Sequence, residues 1–312
     1  MHHNAPAEAR RRDALNLFSF LTVVSMCLAL AIFAGLRLTH TRPAAVASRL
    51  EGRVVLPASA AGGARTPLGP PSEAAQELVR PAPVELPGVV SHGDRGRHAV
   101  AITFDSNMTT AMVDELKSGK VKRFVNDAVI AELRDMHVPA TFFLSGIWME
   151  QYPAVARDIA ADPLFEVGSH SYAHEAFTSH CFTLASLDLD RAADDLDRNE
   201  TLLEGIADHP TKFFRFPGGC YDAASLSAIR PAGVQVIQYD LPSGDAFATD
   251  PAPVVAQTLA NVRNGSIIVM HVTGGNTAPV TDRALPGIVN GLRARGFKLL
   301  RLTDLLRAGG AG

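Results

Sequence analysis

From His98 onward, short apolar runs rich in β-branched residues alternate with longer amphipathic stretches, and that alternation constrains the fold more than any other feature. The strand candidates are His98–Phe104, Thr141–Ser145, Glu166–Gly168, Phe213–Phe216, Val234–Tyr239, Ser266–His271 and Lys298–Leu300. Between them lie helix candidates at Arg123–Met136, Tyr152–Ala160, Leu184–Leu203, Pro253–Val262 and Asp282–Arg295. Strand-then-helix order predicts an α/β fold with mostly parallel strands. About seven such units in roughly 210 residues suit one barrel-like domain better than two domains. In parallel barrels the chemistry sits at the C-terminal strand ends.

Ionisable side chains gather at those ends. The first strand ends in Thr103-Phe104-Asp105-Ser106-Asn107, and the third is followed by His170-Ser171-Tyr172-Ala173-His174. The fourth runs into Arg215-Phe216-Pro217-Gly218-Gly219-Cys220-Tyr221, Asp240 and Asp245 follow the fifth, and His271 ends the sixth. His170 and His174, four apart, can aim two imidazoles at one metal, although paired surface histidines share that spacing. Asp105 suits a helix N-cap or turn, or a base that takes a proton from an activated water. Arg215 can solvate a surface carboxylate or orient Asp105. His271 is either a satisfied core histidine or a general acid held in one tautomer by a carboxylate such as Asp245.

Before His98 the texture differs. Residues 1–95 hold ten basic and seven acidic residues, and residues 96–312 hold 19 and 25. The net charge of −3 excludes a strongly basic nucleic-acid binder, and 47% hydrophobic residues exclude a wholly disordered chain. Three cysteines exclude a disulfide-built miniature scaffold. Ala14–Leu36 is a run of 23 residues without charge. That length predicts a single transmembrane anchor after a basic flank at residues 1–13, with the C-terminal part outside the cytoplasm. A cleaved signal peptide, with Ala45-Val46-Ala47 as its cleavage site, is the alternative and would make the protein secreted. Residues 37–96, interrupted by many prolines, read as a disordered linker.

The ordered set of strand-end segments, with Tyr239-Asp240-Leu241-Pro242-Ser243-Gly244-Asp245 and Ile267-Ile268-Val269-Met270-His271, resembles the polysaccharide deacetylases of carbohydrate esterase family 4. The resemblance covers about residues 97–308. It implies a distorted (β/α) barrel and removal of N- or O-acetyl groups from sugar polymers. It implies Asp105 as catalytic base, Arg215 as the arginine that positions it, His271 as catalytic acid and Asp245 as its support. His170 and His174 match metal ligands, the Gly218 N–H matches the oxyanion donor, and Val269 lines the acetyl pocket. The implied cofactor is a divalent metal, zinc before others. Two positions depart from the family pattern. A second aspartate ligates the metal in the family, whereas this chain has Ser106, so the third oxygen falls to Ser106, Asn107 or water. A large aromatic commonly follows the fourth-motif aspartate, and here Ala246 stands instead.

Cys181 and Cys220 flank the same rim in this reading and are expected to form a disulfide outside the cytoplasm, two buried thiols being the alternative. Asp188, Asp190, Asp194, Asp195 and Asp197 read as a solvated helix face. The expected partners are an acetylated polysaccharide and a membrane, with no nucleic acid. Two other functions compete: a non-catalytic glycan-binding relative, supported by Ser106, and a small-molecule acetyl esterase.

Overall fold

The chain divides into two units, residues 1–67 and 68–312, and the computed structural model describes residues 88–307, all in the second. Nine strands alternate with helices: β1 (Val89–Val90), β2 (Ala99–Ser106), β3 (Ala140–Leu144), β4 (Phe165–Ser169), β5 (Phe213–Phe214), β6 (Gln235–Ile237), β7 (Leu241–Pro242), β8 (Ile267–His271) and β9 (Lys298–Leu299). The helices are α1 (Thr110–Lys117), α2 (Asp127–Asp135), α3 (Gly146–Gln151), α4 (Pro153–Ala160), α5 (Ala192–Glu204), α6 (Ala223–Ile229), α7 (Pro251–Asn261), α8 (Thr281–Ala294) and α9 (Leu302–Leu306).

Every strand pairing is parallel, in the order β1-β6-β5-β4-β3-β2-β8-β7, with β9 on the start of β2. Two-sided burial explains the sequence of β2, whose eight residues are all buried. Its even-numbered residues Val100, Ile102 and Phe104 enter the main core with Phe142, Trp148, Ile268 and Leu285. Full burial of one such side chain contributes about 1.5–3 kcal/mol. Trp148 satisfies its only polar atom by donating from Nε1 to the Phe124 carbonyl at 2.8 Å. Helix starts follow local sequence: Thr109 caps α1, Asp250 caps α7, and Asp222 with Ser225 forms a capping box on α6.

Three parts of the sequence reading are corrected. The strand path has free ends at β1 and β7, so the sheet is an open, curled half-barrel of nine strands, not a barrel of about seven. The two missed strands, β1 and β7, have two residues each and are bordered by glycine, proline or polar residues, so no apolar run marks them. The linker assigned to 37–96 extends too far, because Val89 and Val90 pair with Val236 and Ile237, and Arg95 bonds Asp240 at 2.7 Å. The transmembrane helix is not part of the observed fold. No helix among the described residues is long and apolar enough to cross a membrane, and Ala14–Leu36 lies outside those residues. The longest described helix, α8, has 14 residues; at 1.5 Å per residue it reaches about 21 Å against roughly 30 Å of bilayer core.

Candidate active site

The pleat and register of the central strands place the first two groups. Asp105 lies opposite His271 across the β2–β8 pair and opposite Phe143 across β2–β3, so a carboxylate and an imidazole leave the same end of the sheet about 4.8 Å apart along the ladder. Arg215, just past β5, is wholly buried. It donates from Nη1 to Asp105 Oδ1 at 2.7 Å and to Thr103 Oγ1 at 2.8 Å. Its plane lies over the Phe143 ring at 4.0 Å, and its other nitrogens reach the Ile237 and Gln238 carbonyls. A guanidinium this constrained fixes the Asp105 carboxylate in one orientation.

Asp245 does the same for His271. Its Oδ1 lies 2.9 Å from His271 Nδ1, and Oδ2 accepts from the His271 N–H at 2.8 Å and the Thr281 hydroxyl at 2.7 Å. Ser243 adds a further donor to Oδ1. Burial pushes Asp245 up, but the His271 charge and these hydrogen bonds outweigh it and hold the carboxyl below its ordinary value. Burial pulls His271 down, and the Asp245 charge and hydrogen bond overcome it, so its pKa is raised.

His170 and His174 meet with ring centroids 4.9 Å apart. His170 Nδ1 donates to the Arg215 carbonyl at 2.9 Å, which leaves Nε2 as a lone pair when the ring is neutral. That Nε2 faces Asn107 Oδ1 at 3.2 Å and Asp105 Oδ2 at 3.6 Å. Burial lowers the pKa of His170, and burial together with the neighbouring His170 and His271 charges holds His174 well below its ordinary value. Burial thus favours the neutral form of both rings, the form that can ligate. Both nitrogens of His174 are buried without a hydrogen-bond partner, a costly state that a cation relieves. Ser106 points elsewhere: its Oγ accepts from the Ser145 N–H at 3.1 Å. Of the two side chains considered for the third oxygen, Asn107 faces His170. No cluster of three or more His, Cys, Asp and Glu side chains able to hold a metal exists among the described residues. The donor set that fits a divalent cation is thus two imidazoles with a neutral carboxamide, poorer in charge than one that includes a carboxylate.

Gly218 sits in the turn Pro217–Gly219 after β5 with φ 65°, and a Cβ there would lie 2.6 Å from the Cys181 Sγ. Cys181 and Cys220 are joined by a disulfide with Cα atoms 5.9 Å apart, as expected. Val269 is buried on β8 in register with Thr103 and Pro242. The fold thus brings Asp105, Arg215, His271, Asp245, His170, His174 and Asn107 to one end of the sheet and leaves Ser106 behind it.

Residues 92–237 match the family model for polysaccharide deacetylase. That match covers just under half of the chain. The chain is 28% identical over 176 residues to the uncharacterized protein YlxY of Bacillus subtilis, covering 56% of this chain and 50% of that protein. It therefore spans half the length of that relative. It is 25% identical over 219 residues to a peptidoglycan-N-acetylglucosamine deacetylase of Bacillus cereus, covering 69% of this chain and 70% of the relative. The structure of BA3943 from Bacillus anthracis, described as a carbohydrate esterase family 4 pseudoenzyme, superposes with a TM-score of 0.57 at 21% identity, covering 71% of this chain and 69% of that one.

Sequence reasoning missed part of this site. Thr103 supports Arg215, and Thr281 supports Asp245 from a distant helix; nothing local marks Thr281. Asp195 corrects the solvated-face reading of its cluster: its carboxylate accepts from the Tyr172 N–H at 2.8 Å and the Ala173 N–H at 3.4 Å, holding the loop between the two histidines. Burial raises the Asp195 pKa against these hydrogen bonds.

Proposed function

We propose that this protein removes acetyl groups, N-linked before O-linked, from a cell-envelope or extracellular polysaccharide. The supporting observation is the pair of buttressed groups in register: Asp105 held by Arg215, and His271 held by Asp245. A divalent cation, zinc first among candidates, would be held by His170, His174 and Asn107, and when bound it supplies Lewis-acid polarisation of the acetyl carbonyl and of water. Asp105 accepts the proton of the attacking water, with Arg215 fixing its lone-pair direction. The Gly218 N–H donates to the oxyanion, a role worth about 3 kcal/mol in comparable holes. His271 gives its proton to the departing nitrogen, and Asp245 holds the donating tautomer. Val269 closes the side where the acetyl methyl sits. The disulfide supports an extracytoplasmic location, since such bonds persist in oxidising compartments.

The test is acetate release from N-acetylated glycans by the wild type and Asp105→Asn. The wild type should turn over and the variant should be inactive with its melting temperature retained; a fully active Asp105→Asn sinks the assignment. One observation favours a second reading, a non-catalytic glycan binder: Ser106 stands at the ligand position and turns toward Ser145. Absence of acetate release with zinc, cobalt, nickel or manganese supports that reading.

A further inference from the structure

Large apolar side chains belong inside, yet among the described residues Phe182 and Phe247 stand out to solvent, 54% and 64% exposed. Both also hold left-handed backbone, with φ of 52° and 59°. A Cβ crowds the chain in that region, so bulky residues seldom adopt it. Five non-glycine residues do so among the described ones: His137, Ser171, His174, Phe182 and Phe247. Ser171 and His174 belong to the histidine loop. Phe182 follows Cys181 and Phe247 follows Asp245, so four of the five lie on loops that carry site residues, where uncommon backbone held in place by its surroundings tends to serve function.

The two residues belong to loops that follow different strands. Phe182 follows the disulfide-bonded Cys181, and its Cδ2 lies 3.2 Å from where a Cβ on Gly218 would be. It is thus beside the turn after β5. Phe247 lies two residues past Asp245, after β7, and its N–H donates to the Thr277 carbonyl at 2.6 Å in the loop that follows His271. In the sheet, β5 and β7 are on opposite sides of the central β2–β8 pair. A disulfide fixes the backbone beside Phe182 and a backbone hydrogen bond fixes that of Phe247, which lowers the ordering that these segments need when a ligand arrives.

We propose that Phe182 and Phe247 are glycan-stacking platforms, each taking the apolar C–H face of a pyranose ring on one side of the sugar whose acetyl group is attacked. The negative face of an aromatic ring suits polarised C–H groups, and a neutral sugar suits a domain that carries excess acidic residues. The inference rests on the deacetylase reading for the position of the attacked sugar.

The test is calorimetric titration of fully N-acetylated chito-oligosaccharides, the disaccharide and the pentasaccharide, into wild type, Phe182→Ala, Phe247→Ala and the ring-keeping Phe182→Tyr and Phe247→Tyr, with acetate release measured in parallel. The wild type should bind the pentasaccharide more tightly than the disaccharide. Each alanine variant should bind the pentasaccharide about five- to tenfold more weakly, with melting temperature retained, and each tyrosine variant should recover most of that loss. Pentasaccharide binding by the alanine variants at wild-type strength overturns the proposal. So does an equal loss for disaccharide and pentasaccharide, which marks local distortion, and so does a wild type without length dependence. Weakened pentasaccharide binding with no acetate release from any preparation leaves the platforms standing and removes the deacetylase reading. Acetate release with unaltered pentasaccharide affinity does the reverse.

Discussion

At the scale of single residues, protonation states decide what the site can do. His271 must carry a proton to serve as an acid, and the Asp245 carboxylate beside it raises its pKa above the ordinary 6.5. The rate should fall as pH rises through that raised value. Asp245→Asn removes the negative charge, so the alkaline limb of the kcat/KM profile should move to lower pH. The same pair affects stability. A raised imidazole stabilises fully below 6.5 and loses that contribution as pH rises through its folded value, while a lowered carboxyl stabilises above 3.8 and loses it as pH falls. Denaturant midpoints of wild type and Asp245→Asn should therefore differ most between 3.8 and 6.5, the difference shrinking as pH falls through the lowered Asp245 value and, in part, as it rises through the raised His271 value. The metal donors give a second expectation. Ser106→Asp adds a carboxylate at the departed position and should tighten zinc or cobalt binding at least tenfold, about 1.4 kcal/mol, read by competition with a chelating dye. Asn107→Ala should weaken it. If Asn107→Ala binds metal as the wild type does, the carboxamide is not a ligand.

At the scale of elements, the turn after β5 is held by two independent constraints. Gly218 needs its positive φ, and a side chain there meets the disulfide at 2.6 Å. Gly218→Ala should move the turn and reduce acetate release strongly while the sheet stays folded, which far-ultraviolet circular dichroism checks. The Cys181–Cys220 bridge spans a sequence separation of 39, so chain-entropy reasoning gives it about 3–4 kcal/mol of stabilisation. Cys220→Ser should lower the unfolding free energy in urea by up to that amount. The histidine loop between β4 and α5 depends on Asp195, which sits in the first turn of α5 and accepts two of the loop's N–H groups. Asp195→Ala should loosen both histidines and weaken metal binding more than it lowers the melting temperature.

At the scale of the whole molecule, the sheet gathers the ionisable groups of five separate segments at its C-terminal strand ends. The excess of acidic over basic residues in 96–312 argues against capture by long-range attraction to polyanions. KM for a neutral acetylated glycan should change less than about twofold between low and high salt, because little charge is there to screen.

The alternation after His98 settled the α/β class and the parallel sheet, because side-chain period and burial are local properties of a chain. Asp105, His170, His174, Arg215, Asp245 and His271 were legible for the same reason: each sits at or just after a strand whose apolar run ends there. β1 and β7 were not legible, since each has only two residues set among glycine, proline and polar positions and its pairing comes from other segments of the chain. The open edge of the sheet, the turning of Ser106 toward Ser145, the approach of Asn107 to His170 and the reach of Thr281 to Asp245 were decided by tertiary structure alone. Each depends on where a side chain points and on partners brought close from other parts of the chain, and a linear pattern records neither.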